Sequence, residues 1–295
     1  MAERPRVTPA HIRRRRITAL ALVVAAAAAA VVAVAVALPH SDKAAAPTTT
    51  APLPQPKPFR IIFPEGFTRS TMADRVAAVA KIAARKHGKP VALARAPYVR
   101  ATTSLVVPCF APRKRTKVEG FLFPATYDFF AKTTSKQLVA AQVKAFCLNW
   151  KSVNMSYARS KNLTPYDVLT IASLIQGEAV VESERATIAA VIYNRLHLRM
   201  PLGIDAALRY ALDIPGTESI HESQLQNPTP YNLRLHTGLP PTPINNPGLA
   251  SIRAAAHPAK VDYLYFVAKP DKRHHFFTAS ATAFQQYLCA HGYGC

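Results

Sequence analysis

The chain has 295 residues, is 49% hydrophobic with 25 Pro and only 10 Gly, and carries a formal net charge of +21 at pH 7. None of its four cysteines forms a Cys-x-x-Cys pair or stands at metal-ligand spacing from a histidine, so neither a metal centre nor a metal cofactor is expected. The charge calls for an anionic partner.

Residues 1–16 form a basic tail in which Arg4, Arg6 and the block Arg13-Arg14-Arg15-Arg16 are opposed only by Glu3. Residues 17–38 read ITALALVVAAAAAAVVAVAVAL, without a charge, and are long enough to cross a bilayer as one helix. The positive-inside rule then keeps the N-terminus in the cytoplasm and exports the chain beyond Pro39. A cleaved signal peptide is the competing reading, but the apolar run is too long for one and a signal-anchor is expected. On that topology nucleic acid is not an expected partner; wall polymers and acidic lipid headgroups are the natural anions. Cys109, Cys147, Cys289 and Cys295 fall on the exported side, where disulfides persist. Three pairings are open, with Cys109–Cys147 and Cys289–Cys295 the simplest by order; free buried thiols are the alternative.

Residues 39–58 are a Pro/Thr/Ala linker, extended and semi-rigid. From Phe59 the pattern turns globular, with roughly 235 residues for one large domain or two smaller ones. Phe59 to Phe63 reads as a strand. Thr68 or Ser70 then caps a helix whose Met72, Val76, Val79 and Ile82 are expected to point inward. A basic, irregular segment runs from Lys86 to about Lys117. Val118 to Phe130 is rich in aromatic and β-forming residues around Gly120 and Pro124. A helix is expected from Ser135 to about Met155, with Leu138, Val143, Phe146 and Trp150 inward.

The most informative stretch runs from Leu163 to Ala179. Thr164, Pro165 and Asp167 are a helix-start signal. Ile171, Leu174, Ile175 and Glu178 come next at i, i+3, i+4 and i+7, so a carboxylate continues an apolar stripe. Burying it ionised is costly, and its pKa should rise until the acid stays protonated near neutral pH. A protonated acid held in a groove is what glycosidic-bond cleavage requires. The alternative is a rim position, solvated or paired with an arginine. Glu119, in a Gly-rich, β-like segment beside Lys117, has less reason for a raised pKa and reads as structural or glycan-contacting.

Ser183 is expected to cap the next helix, with Ile188, Val191, Ile192 and Leu196 inward; Glu182 ends the preceding helix or pairs with Arg185. Residues 200–247 read as loop-rich, Pro240, Pro241 and Pro243 preventing regular structure. Asp205, Tyr231 and Asn232 lie there, where binding residues concentrate: Tyr231 to pack on a sugar face, Asn232 to bond an N-acetyl group. A buried core aromatic and a turn-stabilising amide are the respective alternatives. Arg195 either orients Glu178 or pairs with Glu184. Asn246-Pro247 opens a short helix that His257-Pro258 stops. Asp262 to Ala268 is a strand, His275 to Thr278 its partner, and Thr282 to about His291 a closing helix.

Several of these segments resemble the MltG (YceG-like) family of endolytic murein transglycosylases, membrane-anchored enzymes that cut peptidoglycan glycan strands. Glu119-Gly-Phe-Leu-Phe-Pro-Ala-Thr-Tyr127 is similar to the family's EG-x-LFP-x-TY segment. Ala172-Ser-Leu-Ile-Gln-Gly-Glu-Ala179 resembles the block that ends on the catalytic acid. Glu184-Arg185 with Asn194-Arg195-Leu196, Thr229-Pro-Tyr-Asn232, Thr237-Gly-Leu-Pro-Pro241, Asn246-Pro-Gly248 and Ala255-Ala-His-Pro258 come after it in family order. The match covers about Phe59 to Leu288.

The resemblance implies an α+β fold: a single transmembrane helix, a LysM-like βααβ subdomain over 59–117 that grips glycan, and an α+β catalytic lobe over 118–295. It implies lytic cleavage with Glu178 as the catalytic acid, leaving 1,6-anhydromuramic ends, with Asp205, Tyr231, Asn232, Arg195 and Glu119 contacting substrate and no cofactor. One position departs: Gly203 stands where members often carry Gln, removing a possible sugar hydrogen bond worth about 1 kcal/mol. Two readings compete: a tethered glycan-binding scaffold for membrane-bound wall synthases, and a hydrolytic muramidase, for which Asp205 and Glu182 are the nearby candidate second carboxylates.

Overall fold

The computed structural model describes residues 57–103, 105–110, 114–115 and 118–293. The basic tail, the segment 17–38, most of the linker and Cys295 lie outside these residues. Among the described residues no helix is long and apolar enough to cross a membrane.

The chain enters through strand β1 (Phe59–Ile62) and turns at Gly66 into helix α1 (Arg69–His87). Thr68 caps α1, its hydroxyl accepting the Thr71 N–H. Helix α2 (Arg95–Ala101) comes next, then a short antiparallel hairpin, β2 (Leu105–Val106) with β3 (Lys114–Arg115). Strand β4 (Thr126–Phe129) returns antiparallel to β1, with Phe59 opposite Phe129 and Ile62 opposite Thr126. The result is a βααβ unit with a hairpin inserted before its last strand. Because β4 lies past residue 117, the sheet joins both sides of the predicted boundary, and Pro56–Cys295 forms one compact unit. The inward face of α1 differs from expectation: Met72, Ala73, Val76, Ala80 and Ala83 are buried, while Ile82 is 45% exposed. Helix α2 packs on α1.

Helix α3 (Ser135–Trp150) begins with a Thr134/Gln137 capping box and buries Leu138, Val143, Phe146 and Trp150 as expected, but ends at Trp150 rather than near Met155. Phe110 sits against Phe121, Phe146 and Trp150, with ring centroids 4.9, 5.8 and 4.7 Å away. Cys109 and Cys147 form a disulfide beside this cluster. Cys289 is disulfide-bonded as well.

After helix α4 (Ser156–Ser160) comes α5 (Pro165–Glu178), started by a Thr164/Asp167 capping box with Pro165 in the first turn. Every residue from Val168 to Ile175 is buried, so α5 is a core helix enclosed on all sides rather than one with an apolar stripe. Burying leucine or isoleucine side chains such as Leu169, Ile171, Leu174 and Ile175 stabilises the fold by about 1.5–3 kcal/mol each. Ser183 does not cap the next helix: Glu182–Glu184 form a 3₁₀ turn, and α6 (Arg185–His197) starts behind it without a side-chain cap. Residues 200–247 hold more helix than their prolines suggest, namely α7 (Asp205–Leu212) and α8 (Glu222–Leu225). Helix α9 (Leu249–Ala256), with His257 at its C-cap, packs on α5 and α6. A β5 (Tyr265–Ala268) and β6 (His275–Thr278) hairpin and helix α10 (Ala281–Ala290) close the chain. The described residues form an α+β fold of helices and two-stranded sheets.

Candidate functional site

Glu178 is the last residue of α5, where the backbone leaves the helix at Ala179 (φ −75°, ψ 115°). Gly177 before it lets α7 come close: a Cβ there would lie 2.9 Å from the Cβ of Ala206. The Ala206 N–H, one of the donors the start of α7 leaves unpaired, faces Glu178 and favours its ionised form. Two helix ends thus meet at one carboxyl, and the negative end of α5 disfavours its ionised form. Burial is the largest cause of a pKa raised from 4.5 to about 7; the nearby Asp205 charge adds to it, and the Ala206 N–H and Arg209 oppose it. The side chain itself is half-buried. The expectation of a raised pKa therefore holds, but α7 and Asp205 enclose the acid, not a stripe on its own helix.

An open cleft of about 970 Å³ shares Ala206 and Arg209 with the surroundings of Glu178. Ala206, Arg209 and Tyr210 of α7 line one wall, Thr68 and Arg69 at the start of α1 face it, and Tyr231, Ile244 and Asn245 contribute from the later loops. Asp205 opens α7 rather than lying in a loop, and Arg234 grips it through both oxygens (2.7 and 2.9 Å). Asp205→Asn is expected to lower the pKa of Glu178, shifting the alkaline limb of any Glu178-dependent activity to lower pH; an unchanged limb counts against the pairing.

Glu119 departs from expectation in its pKa. It is 7% exposed, at the floor of the same cleft, and burial raises its pKa to about 7. The Arg69 N–H donates to its two oxygens (2.9 and 3.2 Å), Asn246 Nδ2 to Oε1 (2.8 Å) and the Tyr210 hydroxyl to Oε2 (3.3 Å). The β-like local sequence hid this burial, which comes from segments far away along the chain.

Asn232 and Arg195 are engaged elsewhere. Asn232 is fully buried, its amide donating to the carbonyls of Leu225 and Asn227 while Oδ1 accepts the Arg234 N–H, so it stabilises a turn rather than meeting an N-acetyl group. Arg195 neither orients Glu178 nor pairs with Glu184: it donates to the carbonyls of Leu264, Pro201 and Leu202 and lies over the Tyr265 ring. Glu184 instead bonds His275 Nδ1 at 2.7 Å. Arg185 donates to Ser251 and Gln176 and faces Glu65, not Glu182. Tyr231 is half-buried in the cleft wall, its hydroxyl 2.7 Å from Thr242 Oγ1 and its ring 5.5 Å from that of Tyr210. Among the described residues no group of His, Cys, Asp and Glu could hold a metal ion.

Sequence reasoning missed Arg69, Arg209, Tyr210 and Asn245. A signal existed for α7: Asp205-Ala-Ala-Leu-Arg-Tyr-Ala-Leu212 is a first-turn acid followed by good helix formers. Gly203 just before it has φ +63° and donates its N–H to the Leu233 carbonyl (2.8 Å). Gly203→Gln is expected to cost about 1 kcal/mol in urea unfolding, because a side chain is strained at that φ and its Cβ would crowd Arg195. A stability equal to the parent's would show that the turn can relax.

The YceG-like family matches residues 38–288, and the chain belongs to this family. Among curated proteins it is similar to the endolytic murein transglycosylase of Bacillus subtilis (strain 168), 40% identical over 153 residues, which are 52% of this chain and 42% of that protein. It is also similar to the endolytic murein transglycosylase of Streptococcus pneumoniae (strain ATCC BAA-255 / R6), 39% identical over 158 residues, 52% of this chain and 28% of that one. The chain thus spans less than half the length of the curated relatives it matches. A crystal structure of a yceG-like protein from Listeria monocytogenes superimposes with a TM-score of 0.65 at 27% identity, covering 77% of this chain and 75% of that one.

Proposed function

We propose that this protein is an endolytic peptidoglycan lytic transglycosylase that cleaves the MurNAc–GlcNAc β-1,4 bond and leaves 1,6-anhydro-MurNAc ends, acting in wall growth and glycan chain-length control. The observation that carries this reading is Glu178: a carboxyl whose pKa is raised to about 7, next to Ala206 and Arg209, which line an open cleft. Family membership and the names of the relatives support it. Lytic cleavage needs one such group. Protonated Glu178 donates to the glycosidic oxygen as the C1–O bond breaks and oxocarbenium character develops. The resulting carboxylate removes the proton from the muramic acid 6-hydroxyl, whose oxygen closes on C1. Glu178 ends the cycle protonated, and no water is consumed.

Asp205 keeps the acid's pKa high, and Tyr231 offers a ring face to a sugar in the cleft. The clasp between Asp205 and Arg234 engages both Asp205 oxygens, which weighs against its serving as the free base of an inverting hydrolase. The βααβ unit, LysM-like in element order, is the lobe we assign to gripping the strand. Residues 17–38 are the anchor of a single-pass membrane protein with a cytoplasmic tail and an extracytoplasmic catalytic domain, placing the cleft where nascent strands and membrane-bound synthases meet. The test is the chemistry of the ends. Purified sacculi digested with the full-length protein should yield 1,6-anhydromuramic termini by mass spectrometry. Reducing termini would mean a muramidase, and no new termini a scaffold.

A further inference from the structure

We propose that Glu119 is a positioning residue for the proton transfer at Glu178, acting through α7. This role rests on Glu178 being the proton donor. All four hydrogen bonds to the Glu119 carboxylate come from donors: the Arg69 N–H to each oxygen, Asn246 Nδ2 and the Tyr210 hydroxyl. Such a site fits an acceptor with no hydrogen of its own. A neutral acid or an amide brings a hydrogen into it, which the N–H donors cannot accept and which the Tyr210 hydroxyl accepts only by giving up its own donation. Tyr210 is the partner free to turn away, since Arg69 N–H belongs to a capped helix start and Asn246 is fixed by further bonds to Leu122 and Phe67.

Helix α7 makes this matter at Glu178. Ala206 and Tyr210 are four residues apart and share one face of α7. The first packs against Gly177 with its N–H toward Glu178, and the second bonds Glu119 through its hydroxyl. Arg234 holds the start of α7 through Asp205, and Arg209 holds the loop beyond it through the carbonyls of Pro215 and Glu218. Both of those are partly exposed surface contacts, whereas the Tyr210–Glu119 bond ties the middle of α7 to the buried floor. Without it α7 can draw back from Gly177 and admit water to Glu178. Burial and the Asp205 charge, the two largest influences raising its pKa, then weaken together, outweighing the loss of the Ala206 N–H. The charged or titratable groups that face the two acids are Asp205 and Arg209 at Glu178, and Arg69, Tyr210 and Tyr98 at Glu119.

The test compares full-length parent, Glu119→Gln, Tyr210→Phe and the double variant. Glu178 is titrated by carboxyl-carbon NMR, and kcat and KM are measured on purified uncross-linked glycan strands. Each single variant is expected to lower the Glu178 pKa by about half a pH unit or more and kcat about tenfold, with KM changed less than about twofold. The double variant should be no worse than the more damaging single one, because both break the same link. Tyr210→Phe removes one hydroxyl and keeps the ring, so it reports even if Glu119→Gln fails to fold. Should Tyr210→Phe lower thermal stability while the Glu178 titration stays where it was, Glu119 is a core acceptor only and the proposal fails. A parent that forms no anhydro ends refutes the transglycosylase reading by itself, and the NMR titration still decides the coupling.

Discussion

Glu178→Gln is expected to lower the rate of glycan cleavage by about 10²–10⁴-fold, the range by which a positioned general acid–base group contributes. The amide keeps the shape and the contact with Ala206 but has no proton to give. In the parent the active form is the protonated one, and its fraction falls as pH rises through about 7. Strand release measured from pH 7 to 9 should therefore decline about tenfold per unit above about pH 7. The same group sets a stability dependence of opposite benefit. Its folded pKa lies above its ordinary 4.5, so ionising it between pH 4.5 and 7 costs the folded state more than the unfolded one. The parent loses stability through this group as pH climbs through that window, and the glutamine variant loses none through it. At pH 8 the variant should be more stable by about 2–3 kcal/mol, with no gain below pH 4.5. A variant that cuts as fast as the parent, or that gains nothing in stability at pH 8, would remove Glu178 from its role.

Replacing both Cys109 and Cys147 by serine should lower stability by about 3–4 kcal/mol, as the release of a loop of sequence separation 38 predicts. The bond closes the segment carrying Val107 and Phe110 onto α3, beside the cluster of Phe121, Phe146 and Trp150. Reversible urea denaturation of the oxidised and double-serine proteins measures the difference, which corresponds to a fall in melting temperature of roughly 10 °C. A loss under about 1 kcal/mol would mean that aromatic packing alone holds the segment and that the unfolded chain keeps much of this contact. Activity at saturating substrate should change little, because none of the cleft residues lies in this segment.

Local chemistry was readable where neighbours in sequence decide the outcome. The caps at Thr68 and Thr164 reach partners three positions away, and helices α1 and α5 start where those residues say, while α3 starts at Ser135 as expected. The pairing of His275–Thr278 with Tyr265–Ala268 was legible for the same reason, since a hairpin joins near neighbours. Helix α7 was not read: the prolines around it pointed to loop, and its short apolar face has meaning only against α5. Asn232 and Arg195 looked like sugar contacts by residue type, but backbone carbonyls near and far in sequence claim their donors.

By itself the sequence determined which acid to examine, the helix that carries it and the family motifs, because spacing, caps and residue types are local properties of the chain. Tertiary structure alone decided why that acid keeps its proton and what surrounds it. Desolvation and Coulomb interaction depend on distance in space: Asp205 and Ala206 come to Glu178, and Arg69, Tyr210 and Asn246 to Glu119, only after the helices have packed.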